Sequence, residues 1–186
     1  MVGNDIVDIE LAKRQSDWQR PRYLDKIFNL QEQQLIYASN EPTIMVWKLW
    51  SMKEAAYKLY TQVCPSRFYN PKAFTCNLKN GETVRYKSFL CETNTKTTIH
   101  YILSEARLKN KLTTSKVINL ENISHMNQGK TFEKEALKLF ATERKYLEKN
   151  LKYAKTPFGV PLIYYKSKKY NISISHHGKF GAIAIA

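Results

Sequence analysis

The chain has 186 residues, enough to bury one large core or two small ones, and its hydrophobic fraction of 43% excludes an intrinsically disordered protein. It has no apolar run long enough for a membrane span, no secretory signal pattern and no CxxC pair among its three cysteines, so we expect a cytoplasmic protein without disulfides or structural zinc. The net charge of +14 is concentrated in residues 106–186, with 16 basic and 5 acidic side chains against 14 and 11 in residues 1–105, which indicates an anionic partner.

The first predicted elements are a strand and two short helices. Residues 2–9 alternate weakly between apolar and polar side chains, which predicts a strand, and Asp8 is placed to cap the helix that follows it. Residues 24–28 and 31–39 have the pattern of short helices.

A longer helix is predicted from Thr43 to about Thr61. Its apolar residues recur at the helical period and form a core stripe, made of Met45, Leu49, Met52, Ala56 and Leu59. Glu54 and Lys58 lie on a different stripe, so Glu54 can face a cleft instead of the core.

Antiparallel strands and a linker follow this helix. Residues 73–78 and 82–90 predict a hairpin around Asn80-Gly81, and residues 97–104 predict another strand. Because residues 109–115 are polar and basic, we place a linker region at 109–129, between a first half (1–108) and a second half (130–186).

The second half is again predicted as a helix followed by strands. The helix covers about Thr131 to Asn150, with five apolar residues toward a core: Phe132, Ala136, Leu139, Phe140 and Leu147. Strands are predicted at 162–165, 170–175 and 182–186. The fold class is therefore α+β, although no sequence repeat proves that the two halves are duplicates.

Two acidic residues in the first half are candidate metal ligands. Asp5 and Glu54 are hard oxygen donors that suit Mg²⁺, an ion that takes one or two protein carboxylates, several waters and phosphate oxygens. Lys53 and Lys58 could neutralise phosphate charge as point cations. A lone Glu-Lys pair is usually an ordinary helix pair, so this interpretation depends on the other motifs.

Three segments together resemble the motifs of the 4'-phosphopantetheinyl transferases. The segment from Trp50 to Lys58 is similar to W-S-x-K-E-A-x-x-K, Gly3-x-Asp5 to the family's G-x-D, and residues 170–178 to F-N-x-S-H-S-G. The resemblance implies that Asp5 and Glu54 hold Mg²⁺ on the diphosphate of coenzyme A. Lys53 and Lys58 occupy the matching lysine positions, and Glu54 or a metal-bound water is the implied general base.

The resemblance also implies cofactor contacts in the second half. Ser175 and His176 would contact the phosphates of coenzyme A, while His177 replaces the family's final serine. The segment Pro157–Pro161 is similar to P-x-G-K-P but carries Val160 in place of the phosphate-binding lysine. Another cation must substitute. The candidates are Lys155, which is nearest in the chain, and Lys130, Lys134 and Lys179.

The order of the motifs is rotated relative to the long surfactin-synthetase type, so the chain resembles a circular permutant of it. The implied fold is a monomeric pseudo-dimer of two similar halves, each a helix packed on a small antiparallel sheet. Val7 stands where the surfactin type has a further carboxylate, and in this respect the chain is similar to the holo-acyl-carrier-protein synthase type.

The implied activity is Mg²⁺-dependent transfer of 4'-phosphopantetheine from coenzyme A to a serine of an acidic apo carrier protein, with release of adenosine 3',5'-bisphosphate. The carrier could serve fatty acid, polyketide or peptide synthesis. Two alternatives are open. One is a basic nucleic-acid-binding protein, because aromatic and lysine residues alternate at 164–170; the other is a catalytically idle carrier-protein binding module, because of Val160 and His177.

Overall fold

The fold contains one arrangement twice, a long helix beside a five-stranded antiparallel sheet. The computed structural model describes residues 1–65 and 70–186. The first half contains β1 (Val2–Asp8), α1 (Ile9–Gln15), α2 (Tyr23–Ile27), α3 (Leu30–Tyr37), α4 (Pro42–Val63), a 3-10 turn (Pro71–Ala73), β2 (Thr75–Asn77), β3 (Thr83–Tyr86), β4 (Phe89–Thr97) and β5 (Tyr101–Arg107). The second half contains β6 (Thr114–Asn119), α5 (His125–Arg144), a 3-10 turn (Glu148–Asn150), β7 (Leu151–Lys155), β8 (Pro161–Tyr165), β9 (Lys168–His177) and β10 (Phe180–Ile185).

The two sheets have the same topology. Their strand orders are β1-β5-β4-β3-β2 and β6-β10-β9-β8-β7, so in each half the first strand pairs with the last and the intervening strands follow in reverse. Each long helix follows the first strand of its half, with α1, α2 and α3 inserted before α4. This topology confirms the predicted α+β pseudo-dimer.

Each half has its own hydrophobic core, and a smaller cluster joins the two sheets. The first core packs the buried face of α4, including Leu49, Met52 and Leu59, against its sheet. The second packs Phe132 and Phe140 of α5 against the other sheet. The joining cluster contains Ile6, Leu103 and Ala182, so β1 and β5 contact β10 across the pseudo-dimer interface. A chain of this size thus buries two small cores instead of one large one.

β1 packs closely against α4 at its first residues and caps α1 at its last residue. At Gly3 a Cβ atom would lie 1.9 Å from the Ala55 carbonyl oxygen and 2.7 Å from Leu59 N, so only glycine lets β1 approach α4 this closely. At the other end Asp8 caps α1, and its carboxylate accepts the Leu11 N–H at 3.1 Å. The predicted capping role of Asp8 is confirmed.

The predicted boundaries of the first half differ from the structure at the turns. Residues 82–90 form parts of two strands, because Lys87 adopts a positive φ of 53° in a two-residue turn between β3 and β4. The strand predicted at 97–104 is likewise divided between β4 and β5 by a turn at 98–100. These turns lack the Gly and Pro residues that mark turns most strongly.

The second half contains two strands that the prediction missed. β6 lies within the predicted linker region 109–129 and pairs with β10, and the first turn of α5 also begins there. α5 ends at Arg144, where Lys145 adopts a left-handed φ of 55°, so residues 151–155 are free to form β7. Leu147, predicted to face the core, is 63% exposed. No helix in the described ranges is both long and apolar enough to cross a bilayer.

Candidate active site

The predicted metal ligands meet in a cavity beside β1 and α4. Trp47, Trp50 and Glu54 are three or four residues apart and therefore follow one face of α4. Asp5 reaches the same space because, like Gly3, it is an odd-numbered residue of β1 and faces α4. The cavity has a volume of ≈ 310 Å³, and its walls include Asp5, Trp47, Trp50, Glu54, His176 and His177.

Asp5 is held by a cation from the same helix as Glu54. Its side chain is only 14% exposed, and Lys58 Nζ donates to its Oδ1 at 3.0 Å. Burial raises the pKa of the Asp5 carboxyl, while Lys58 and Ser51 act in the opposite direction. Since burial disfavours the anion, further positive charge in the cavity would stabilise the ionised form of Asp5.

The donor set of this cavity fits Mg²⁺ shared with a phosphate. Asp5 and Glu54 are the carboxylates in its walls, which matches an ion that takes one or two protein carboxylates and completes its shell with water and phosphate oxygens. Within residues 1–65 and 70–186, no three His, Cys, Asp or Glu side chains form a metal-binding group. An all-protein metal cage therefore does not fit the described residues.

Two further cavities extend this space into one cleft between the halves. The second, of ≈ 320 Å³, shares His176 with the first and is lined by Lys155 and the start of α5. The third, of ≈ 420 Å³, shares Gly159 and Ile174 with the second and is bordered by Lys58. Because Lys58 also bonds Asp5, one cation connects the third cavity with the carboxylates of the first.

His176 projects from β9 into the shared wall of the first two cavities. Its ring lies 5.9 Å from the ring of Phe132, centroid to centroid. Burial lowers the pKa of His176 below its ordinary value, and the positive charges of Lys58, His125 and His177 lower it further. An adjacent anion would have the opposite effect, so this imidazole is suited to becoming a charged donor when a phosphate binds.

The loop that carries Val160 forms part of the cleft, and Lys155 borders it. Gly159 has a φ of +83°, and the loop closes where Thr156 N–H donates to the Val160 carbonyl at 2.9 Å. Val160 lines the third cavity and Lys155 the second. Lys155 is therefore a cation placed within the cleft, next to the position where the resemblance would put a lysine.

The other three cations considered for this role lie outside the cleft. Lys130 and Lys134 are on the exposed face of α5 and line none of the three cavities. Lys179 Nζ lies 3.8 Å from Glu10 and 3.5 Å from Glu121, in ion pairs outside the cleft.

Lys53 lines none of the three cavities of the cleft, although the resemblance placed it among the cofactor-binding residues. Its side chain is fully buried, and its Nζ pairs with the equally buried Glu32 at 2.8 Å. The same ammonium donates to the Pro71 carbonyl at 3.1 Å and to the Phe74 carbonyl. Lys53 is a structural residue that joins α4 to α3 and to the chain before β2.

Ser175 is also placed away from the cofactor cleft, although the resemblance predicted a phosphate contact. It is 4% exposed, and its hydroxyl has no hydrogen-bond partner among the residues that the structure describes. Side chains alternate along β9, so Ser175 shares the face of Ser173 and His177, which contact β1. His176 points to the opposite face. Of the two residues predicted to contact phosphate, only His176 borders the cleft.

The first turns of α5 border the cleft but were not predicted as helix from the sequence. His125, Gln128 and Gly129 line the second cavity, but the helix was predicted to begin only at Thr131. The available signal was Ser124, a residue type that favours the N-cap position just before a helix. The N–H groups of a first helical turn lack intrahelical acceptors, so this side of the cleft favours anions.

Two comparisons find similarities to known proteins. A family model described as the 4'-phosphopantetheinyl transferase superfamily matches residues 1–116. Among solved structures, the chain is similar to the Thermotoga maritima holo-[acyl-carrier-protein] synthase, with 11% identity and a TM-score of 0.47, over 90% of this chain and 83% of that one. A search of curated proteins gave no match.

Proposed function

The chain belongs to the 4'-phosphopantetheinyl transferase superfamily, and we propose that it transfers 4'-phosphopantetheine from coenzyme A to a serine hydroxyl of an apo carrier protein. The observation that carries this proposal is the meeting of Asp5, Glu54 and His176 in the walls of one cavity. These side chains come from both halves of the molecule. A cleft lined by carboxylates and cations suits a phosphate-bearing substrate bound with a divalent ion.

The proposed chemistry is one displacement at phosphorus. The serine oxygen forms a bond to the β-phosphorus of coenzyme A, the bond from that phosphorus to the bridging oxygen breaks, and adenosine 3',5'-bisphosphate leaves with that oxygen. Asp5 and Glu54 would hold Mg²⁺, which neutralises phosphate charge when bound. Phosphoryl transfer depends mainly on positioning and charge stabilisation, so a covalent enzyme intermediate is not required.

Each residue in the cleft has a proposed role in this reaction. Glu54 accepts the proton of the attacking serine hydroxyl, directly or through a water. Lys58 neutralises phosphate charge beside Asp5, and His176 donates a hydrogen bond to a phosphate oxygen. Lys155 supplies the positive charge that the family's lysine would provide at the position of Val160.

The charge distribution supports an acidic carrier protein as the acceptor. Residues 106–186 hold 16 basic and 5 acidic residues, and this half forms one wall of the cleft. Such a field raises the rate of encounter with an anionic partner by roughly 10 to 10³ fold and weakens with added salt. We further propose the holo-acyl-carrier-protein synthase type, because Val7 supplies no second carboxylate next to Asp5.

A direct assay tests the proposal. The protein is incubated with coenzyme A, Mg²⁺ and an apo carrier protein, and mass spectrometry follows the addition of phosphopantetheine to the carrier. Glu54→Gln keeps the size of the side chain but removes its charge and basicity, so we expect a loss of at least about 100-fold in kcat. Glu148→Gln, at an exposed position in the 3-10 turn before β7, is the matched control and should retain full activity.

Other outcomes separate the alternatives. Full turnover by folded Glu54→Gln would contradict the proposed role of Glu54. Binding of the carrier by the wild-type protein without phosphopantetheine addition would favour an idle binding module. Salt-sensitive binding of nucleic acid without either activity would favour the nucleic-acid alternative.

A further inference from the structure

The outer edge of β1 is covered by side chains of β9 instead of by another backbone. β1 pairs with β5 along one edge, and its other edge faces the second half. There the Asn4 N–H donates to Ser173 Oγ at 2.9 Å, and the Asp8 N–H donates to His177 Nδ1 at 3.0 Å. Edge N–H groups that would otherwise need water or a neighbouring strand are thus satisfied by two side chains.

The spacing of these two bonds places β9 in parallel register with β1. Both bonds join residues that are 169 positions apart, so the two strands advance together. Alternation along β9 then directs Ser173 and His177 toward β1 and His176 to the opposite face. His177 therefore links β9, which carries His176, to β1, which carries Asp5.

The turn after His177 fits closely against Asp8. The carboxylate of Asp8 is buried, and its Oδ2 accepts the Lys179 N–H at 3.0 Å. Gly178 has a φ of +57°, and a Cβ atom there would lie 2.3 Å from the same oxygen. The β9–β10 turn therefore docks on the end of β1 through several contacts, of which His177 provides the side-chain acceptor.

We propose that His177 is a positioning residue for the transfer reaction. By accepting the Asp8 N–H at Nδ1, it holds the end of β9 against the end of β1 and thereby aligns His176 with Asp5 across the cleft. His177 stands where the resemblance expects a serine, and this contact gives the departure a structural role. The kinetic part of this inference rests on the proposed function.

Three variants at position 177 distinguish an effect of the hydrogen-bond acceptor from an effect of side-chain size. His177→Asn places an amide oxygen close to the position of Nδ1, His177→Gln moves the acceptor one bond farther out, and His177→Leu removes it. Leaving a part-buried N–H without a partner is unfavourable, so we expect roughly a tenfold loss in kcat/KM for coenzyme A in the Leu and Gln variants. Most of this loss should come from KM, because the proposed role of His176 is to bind the cofactor. The Asn variant should stay within about threefold of wild type.

Amide hydrogen exchange tests the same contact without any activity. The Asp8 amide should exchange slowly in the wild type and in His177→Asn, and faster in His177→Leu. Gln34→Leu is the control, because Gln34 lies at an exposed position of α3 and should leave exchange at Asp8 unchanged. Thermal unfolding of each variant shows whether a change at Asp8 is local or global.

The inference is overturned if the Asp8 amide exchanges freely in the wild type, or if the Asn variant behaves like the Leu variant in both exchange and KM. If His177→Leu does not fold, the comparison of Asn with Gln decides the question. A wild-type protein that binds coenzyme A but does not transfer phosphopantetheine would contradict the proposed function. The hydrogen-exchange comparison would still decide whether His177 holds β1.

Discussion

Two lysines of one motif have different surroundings because α4 turns them in different directions. Lys53 and Lys58 are five positions apart, which separates them by about 140° around the helix axis. Lys53 is enclosed with Glu32, whereas Lys58 reaches Asp5 at the edge of the cleft. The first lysine therefore acts on stability and the second on the chemistry of the site.

Replacing Lys53 tests its structural role. Lys53→Met leaves the Glu32 carboxylate buried without its charge partner, so we expect a loss of about 3–5 kcal/mol in the free energy of unfolding, measured by urea denaturation. The KM for coenzyme A of the folded protein should change little, since Lys53 does not border the cleft. A large rise in KM with unchanged stability would instead support the cofactor role that the motif suggested.

A double variant checks that the effect comes from the ion pair. Glu32 also accepts hydrogen bonds from Asn29 N and Cys76 N, and glutamine retains an acceptor while removing the charge. The combined Glu32→Gln and Lys53→Met protein should be less destabilised than the sum of the single changes. Simple additivity would show that the two side chains do not act as a pair.

The lowered pKa of His176 predicts a pH dependence of stability. In the unfolded state the His176 imidazole binds a proton near its ordinary pKa of 6.5. In the folded state its pKa is lower, so it binds a proton only at a lower pH. The free energy of unfolding should therefore fall as the pH decreases through that range. His176→Asn removes this contribution, so the variant should lose less stability than wild type between pH 7 and pH 5 in paired denaturation curves. Parallel curves would contradict the shift.

The residues of the site were predictable only where a motif also fixed their direction. Asp5 was predicted from its motif and Glu54 from its motif together with helical periodicity, and the structure places both in the walls of one cavity. Lys53 and Ser175 match their motifs equally well, yet each faces the interior. Burial of these two side chains depends on Glu32 and on β1, which are distant in sequence, so local spacing could not reveal it.

At the level of elements, the close approach of β1 to α4 places Asp5 beside Glu54. Gly3→Ala would put a methyl group against the Ala55 carbonyl, and because backbone cannot yield like a flexible side chain, we expect a loss of about 3 kcal/mol or more. Gly129→Ala in α5 meets no atom within 4 Å and should gain about 0.5–1 kcal/mol from helix propensity. Thermal unfolding of both variants should give shifts of opposite sign, and equal shifts would contradict the packing at Gly3.

Elements with strong periodicity were predictable, whereas strands defined by distant partners were not. The apolar stripe of α4 specified that helix almost to its ends. β6 has a polar sequence and becomes a strand by pairing with β10, more than 60 residues later in the chain. Such pairing depends on tertiary contacts that a local pattern does not contain.

For the whole molecule, the repeated topology means that one chain supplies both walls of the cleft. Asp5 and Glu54 come from the first half and His176 from the second. We therefore expect a monomer of 21.8 kDa by light scattering. Its specific activity should not change on dilution, because no second chain is needed to complete the site. An obligate trimer, or activity that is lost on dilution, would contradict this expectation.

The covered edge of β1 also bears on solubility. An apolar strand with a free row of N–H groups is a template for β-pairing between molecules, which leads to aggregation. β1 contains Val2, Ile6 and Val7, and without Ser173 and His177 its outer edge would be such a template. The contacts that join the two halves thus also protect the protein against self-association, so variants that loosen them should precipitate at concentrations where the wild type remains dispersed.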